Sequence, residues 1–369
     1  MLPIFNRRRM ALSRRDLLRL GGAAGLIAAA GRIQADEPLK VGVALVSPPA
    51  EVGWERQHSD GIKAIKQAMG DRVSLSVVDT VLQPQDAERV FRGFAATGHR
   101  LVIGTSFSHG APITRVARQF PAVAFDDCSG MTVTDNLGAF EARYYEGTYV
   151  AGIAAGRVTK TGKLGFIGGF PIPDIVGPAN AFLLGAQSVR PDATCGIIFV
   201  NSWADLGKEK DAARALIAQG CDVLCAHTDS PAVAQFAEQS GVWVIGYASD
   251  LRGFAPTRQI TSVMLDWSSV YVAEAEAVAA GTWRPQSRWQ GLKEGVVRLA
   301  PVNDLMPAEV RTLLAKSAES VANHTLLPYL GEIRDQAGKV RVAKGNVLPD
   351  GDVRGMDWLV AGMQGHLRG

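Results

Sequence analysis

The chain has 369 residues, 47% apolar and 20% charged, with a formal net charge of +3. That length suggests two domains with sizeable cores, and no stretch has the composition of a disordered chain. The positive charge sits at one end: residues 1–35 hold seven Arg and one Asp, leaving the rest at about −3, which excludes an electrostatic nucleic-acid binder.

Those first residues read as an export signal. Arg7, Arg8 and Arg9 precede SRRDLL at Ser13 to Leu18, followed by a short apolar run from Leu20 to Ala30 with Arg32 beyond it. This pattern predicts a twin-arginine signal peptide cleaved after Ala35, and hence a periplasmic protein. The run falls short of the ~20 apolar residues that a membrane span needs. Gly21, Gly22 and Gly25 disfavour an amphipathic anchor.

From residue 39 the pattern alternates. Strand Val41–Val46 leads through Ser47–Gly61 to a helix over Gly61–Met69. Strand Val73–Val78 leads to a helix opened by Pro84, and strand Leu101–Gly104 to a helix over Pro112–Gln119, before strand Val123–Phe125. A longer helix is expected from Glu141 to Val158. After Gly162 the alternation restarts, with strands at Leu164–Ile167, Ile197–Val200, Val223–Ala226 and Trp243–Tyr247 separated by three helices. Short apolar strands divided by helices make parallel, doubly wound sheets. The expected fold class is therefore α/β: two doubly wound parallel-sheet lobes with a hinge and a ligand cleft. Lobe 1 is expected to comprise residues 39–140 plus about 260–285. Lobe 2 takes 141–259 plus about 290–330, and the hairpin and final strand of 331–369 have no assigned lobe. That last strand is expected near Trp358–Val360.

In such sheets ligands gather beyond the carboxyl ends of the strands. The first half offers Trp54, Gln57, His58, Ser106, Phe107, His109, Asp126 and Asp127 there. The second offers Phe170, Asp174, Ser202, Trp203, Asp205, Thr228, Asp229, Ser230 and Asp250. Trp54 in the first turn either grips a flat ligand or folds back over the first helix, and Phe107 is divided between core and site in the same way. Aromatic faces from both halves, with acids beside them, suit a flat heterocycle bearing N–H groups. The acids Asp229 and Asp250 suit ring N–H and amino donors equally.

Catalytic and cofactor motifs are missing from the sequence: there is no GxSxG elbow, Walker loop, HExxH helix or GxGxxG turn. His227, Asp229 and Ser230 are too close along the chain to converge as a triad. Neither a cofactor nor a metal is expected. A periplasmic hydrolase of nucleosides stays open on composition alone. Cys128, Cys195, Cys221 and Cys225 read as small buried residues, because Cys221 and Cys225 would stand about 13 Å apart on a strand, beyond disulfide reach.

The stretches GWERQHSDG, TSFSH, DNLGAFEARYYEGTYVAGIAA, GFIGGFPIP, NSWADLGKEKDAA, AHTDS, GYASD, GLKEG and MDWLVAGM, in this order, resemble the basic membrane protein family of ABC transporter substrate-binding proteins. The resemblance implies the type I periplasmic binding protein fold and capture of a purine nucleoside or nucleobase for an inner-membrane permease. It implies a ring sandwich by Trp54 and Trp203, and it makes Lys293 the match to a lysine that reaches the sugar in nucleoside binders. In the first turn the family's nucleoside binders have Phe followed by Asn; here Trp54 is followed by Glu55, and Glu51 stands where their earlier acid does. Trp54 brings bulk to that turn, narrowing the expected pocket toward a free base, adenine first, and the GW…QH form resembles a base-binding subgroup. Family lipoproteins carry a Cys after the apolar run, whereas Asp36 follows Ala35 here, so a soluble periplasmic protein is expected; a monomer is expected as well.

Overall fold

The structure, a computed structural model, describes residues 37–367; the signal-peptide reading of residues 1–35 lies outside them. Strands β1 (Leu39–Ala44), β2 (Val73–Val78), β3 (Leu101–Gly104), β4 (Ala124–Cys128), β5 (Leu137–Ala142) and β11 (Ser287–Gln290) form one sheet, ordered β11-β5-β4-β3-β1-β2. All its pairings are parallel. The second sheet contains β6 (Lys163–Gly168), β7 (Thr194–Phe199), β8 (Val223–His227), β9 (Trp243–Ala248), β10 (Gln259–Leu265), β12 (Val297–Leu299) and β15 (Met363–Gln364). Its order is β12-β10-β9-β8-β6-β7-β15. Short runs such as LVIG in β3 and VLCAH in β8 are buried along their whole length, as expected of strands covered on both faces.

The two orders define where a ligand can enter. In the first sheet the chain steps from β1 to β2 on one side and then to β3 on the other; in the second it steps from β6 to β7 and back across to β8. Each reversal parts the loops beyond the carboxyl ends and opens a crevice. Trp54 and Phe107 follow β1 and β3, while Phe170 and Asp229 follow β6 and β8.

Several expected boundaries are corrected. Helix α1 spans Trp54–Met69, so GWERQHSDG is its first two turns and not a free loop. The long helix α4 (Tyr144–Val158) starts later than expected because LGAFEA before it is strand β5. A lobe boundary at 140 therefore falls inside a strand. The segment from 260 also divides: β10 pairs with β9 in the second sheet, while helix α8 (Ser268–Ala279) packs on α1. Near Trp358–Val360 there is only a single bridge, Asp335 to Val360, and the final strand lies at Met363–Gln364 on the edge of the second sheet. The chain crosses between the sheets at Arg143, at Asp266–Trp267, and between β11 and β12. Helix α5 (Pro173–Gln187) lies against α4, and an added Cβ at Gly152 or Gly185 would collide with the other helix's backbone. That close approach fixes the amino end of α5 over the cleft.

Candidate functional site

Between the sheets lies a cavity of about 430 Å³, within the ~300–1,000 Å³ usual for small-molecule sites. Trp54, Phe107, Tyr144, Tyr145 and Trp289 line it, together with Phe170, Trp203, His227 and Tyr247. Its charged wall is Glu55, Glu141, Asp174, Asp229 and Arg354. Aromatic walls with few convergent polar groups bind flat, partly polar ligands. With Trp54 in its wall the cavity still holds about 430 Å³.

Of the residues singled out from sequence, Trp54, Ser106, Phe107, Phe170, Asp174, Ser202, Trp203 and Asp229 line the cavity together. The Trp54 indole N–H donates to the Thr105 carbonyl at 2.8 Å and packs edge-on against His58 at 4.7 Å, which fixes the ring. Trp203 meets Phe170 edge-on at 4.8 Å. Phe107 is 53% exposed on a single 3-10 turn, a large apolar side chain at the cavity rim.

Gln57, His58, Asp250 and Lys293 do not line it. His58 sits one helical turn below Trp54, fully buried against α8, with Nδ1 2.7 Å from the Tyr271 hydroxyl. Burial lowers its pKa to about 3, so it is a neutral core ring. Gln57 donates from Nε2 to the Ser249 hydroxyl at 2.8 Å, reaching from one lobe to the other. Asp250 is exposed and accepts from Gln259 Nε2 at 2.7 Å and from the Arg252 backbone at 3.0 Å. Lys293 is exposed in the turn between β11 and β12. In the wider set, His109 accepts from the Thr105 N–H and bonds the Val81 carbonyl, Thr228 and Ser230 donate to Glu209, and Asp205 caps a helix. These are structural duties. Asp126 pairs with the largely buried Arg288, and all four cysteines are buried thiols.

The lobes touch at the amino end of α1. Gly53 is its N-cap, with φ 87°, and offers no side chain to the open N–H groups. The second lobe supplies the caps: the Trp54 N–H donates to Asp229 Oδ1 at 2.8 Å and the Gly53 N–H to Ser249 Oγ at 3.0 Å. Four unpaired N–H groups at a helix start attract acceptors and negative charge.

Charge in the cavity is set by burial. Glu55 accepts from the Val46 and Ser47 N–H groups through Oε1 while Oε2 has no partner. Burial, with Asp229 nearby, raises its pKa to about 8. Burial raises Asp229 to about 7 against the pull of the Trp54 N–H. Glu141 is held well above the usual range by burial and by Asp174, although Arg354 Nε donates to its Oε2 at 2.9 Å. His227 is pushed down to about 3 by burial and stacks on Tyr247 at 4.1 Å. Protonated carboxyls donate and ionised ones accept, so this wall can serve both functions of a heterocycle's edge. Among the described residues no group of His, Cys, Asp or Glu could hold a metal ion.

The model of the Bmp family, described as ABC transporter substrate-binding protein PnrA-like, matches residues 39–329. The chain belongs to this family. A purine-binding protein of Brucella abortus (strain 2308) is 41% identical over 337 residues, covering 91% of this chain and 96% of its own. A Haloferax volcanii protein with the provisional name of an ABC transporter glucose-binding protein is 33% identical, over 78% of this chain and 73% of its own. Among solved structures, an ABC transporter solute-binding protein from Conexibacter woesei superposes with a TM-score of 0.65 at 25% identity, covering 78% and 97% of the two chains. Bmp proteins are substrate-binding proteins, which makes this chain a receptor and not an enzyme. Its Arg354 and Val353 stand in the cavity wall beyond the end of the family match.

The sequence reading missed Glu55 as a lining residue, along with Glu141, Tyr144, Tyr145, His227, Tyr247, Trp289 and Arg354. The pair Tyr144–Tyr145 lay in a quoted family stretch, and the period of α4 could have pointed one ring each way. Nothing local marks Glu141 or Arg354, which meet only through the path of the C-terminal segment.

Proposed function

We propose that this protein is the periplasmic receptor of an ABC importer for a purine, with a free base, adenine first, as its ligand. The carrying observation is a cavity walled by aromatic rings from both sheets, with carboxyl groups of differing protonation along it. Trp54 and Trp203 flank the base, Phe107 covers the rim, and Asp229 and Glu55 take its polar edge. The likeness to a purine-binding protein of Brucella abortus supports the ligand class. The exposure of Lys293, outside the cavity wall, supports a free base over a ligand with a ribose. The volume of the cavity favours a purine nucleoside as the second reading. Export follows the twin-arginine route, and the mature protein, a soluble monomer, delivers its ligand to an inner-membrane permease; no described helix is long and apolar enough to span a membrane.

Calorimetric titration of the mature protein with adenine, hypoxanthine, guanine, adenosine, guanosine and D-glucose tests this. Adenine is expected to bind most tightly, without turnover. Tighter binding of a nucleoside than of every base moves the assignment to the second reading, and preference for glucose removes the purine altogether.

A further inference from the structure

The last forty residues run past the family match and return to the cavity. The segment holds to the second lobe through β15 on the sheet edge and through Asn180, which donates to the Trp358 carbonyl at 2.8 Å and accepts from the Val360 N–H at 3.0 Å. Between these anchors and the Tyr329 hydroxyl, which donates to the Gly177 carbonyl, the short helix α10 (Asp350–Arg354) lies over the first lobe. Asp350 accepts two bonds from Arg143, the residue at which the chain first crosses between sheets. Arg354 donates to Glu141 Oε2 at 2.9 Å, to the Gly130 carbonyl at 2.7 Å and to the Ser287 hydroxyl at 3.3 Å, and it lies over the Trp289 ring. All these partners belong to the first lobe or its crossing. The segment therefore clasps both lobes, and Val353 and Arg354 complete the cavity wall.

We propose that residues 331–367 form a strap that is part of the binding site, and that Arg354 is a specificity-determining residue acting through Glu141. Only Oε2 of Glu141 is occupied by Arg354. Glu141 also shares a side-chain hydrogen bond with Asp174, which faces the same cavity from the second lobe; Glu141 carries the proton of the pair, and the remaining acceptor capacity of Asp174 is left for a ligand's N–H groups. Arg354, held by three first-lobe partners, fixes the direction of Glu141 and, through it, of the Asp174 oxygens that accept from the ligand. Ligands presenting an amine or ring N–H at this end are selected; those presenting only acceptors there are refused. This rests on the purine reading for the choice of probe.

The test is a double-mutant cycle on affinity for adenine, using the full mature chain. Arg354→Gln and Glu141→Ala are each expected to weaken binding at least tenfold, the double variant no more than the stronger single one, and Arg354→Lys is expected to recover most of the loss. Thermal unfolding of each ligand-free variant shows whether the fold persists. Binding by Arg354→Gln within twofold of the parent, or losses that multiply in the double variant, overturns the proposal. Failure of the parent chain to bind any purine overturns the purine reading instead; the cycle is then run with D-glucose, where the same coupling is expected.

Discussion

Asp229→Ala removes the acceptor that the second lobe offers to the first at the start of α1. The Trp54 N–H bond to Asp229 is 2.8 Å long and joins the two lobes, and Gly53 gives the helix no cap of its own. A hydrogen bond to a charged group contributes about 1.5–3 kcal/mol, and loss of an N-cap acceptor costs about 0.5–2 kcal/mol. Taking about 1.5–3 kcal/mol, affinity should fall roughly 10- to 150-fold. Asp229→Asn keeps a neutral oxygen for the same N–H and should lose only about 1 kcal/mol, near fivefold. Measurements belong at pH 8, above the raised pKa of about 7, where the parent side chain is ionised. Stopped-flow binding should show the loss in the dissociation rate, because the latch acts after encounter, and small-angle scattering should show a more open liganded form. Two results refute this: Asp229→Ala binding within twofold of the parent, or Asp229→Asn losing as much as Asp229→Ala, which makes the carboxylate's contact with the ligand, and not its cap on α1, the larger of its two roles.

Other substitutions probe neighbouring parts of the site. Trp54→Ala and Trp203→Ala should each weaken binding at least tenfold with little change in thermal stability; a loss of several kcal/mol of stability at unchanged affinity makes that Trp a core residue. Gly53→Ala places a Cβ 2.9 Å from Asp229 at a φ of 87°, so it should hold the lobes apart and abolish tight binding, which scattering with saturating ligand can read. Glu55 is raised from 4.5 to about 8, so it stabilises the protein most below pH 4.5 and that contribution is lost as pH rises toward 8. Glu55→Gln should flatten the unfolding free energy across that window, and an unchanged pH profile contradicts the raised value. Lys293→Ala should leave adenine affinity within twofold.

The alternation of short apolar strands and helices made the doubly wound architecture legible, because strands covered on both faces leave continuous runs such as LVIG and VLCAH. The same rule brought residues to the cavity wall, since those just past β1, β3, β6, β7 and β8 face the crevice. Trp54, Phe107, Trp203 and Asp229 came together on that ground. Gln57 and His58 did not, because the turn after β1 is already helical at Trp54. A side chain four residues on then packs beneath the first one and not beside it: His58 lies under Trp54 against Tyr271.

What stayed illegible depends on contacts between distant segments. β5, LGAFEA, is buried along nearly its whole length and runs straight into α4, so strand and helix merge into one apolar stretch with no turn signal between them. Losing that strand hid Glu141, which stands on it, and also misplaced the first crossing between the lobes. Arg354 was hidden for a different reason: an Arg on a five-residue helix reads as a surface residue until the strand at Met363–Gln364 and the clasp at Asn180 bring that helix back over the first lobe. A binding site assembled from both lobes and a returning tail thus shows its loop residues in sequence and conceals its charges. Each charge needs a partner from another segment before burial is tolerable, and the chain order does not reveal which partner that is.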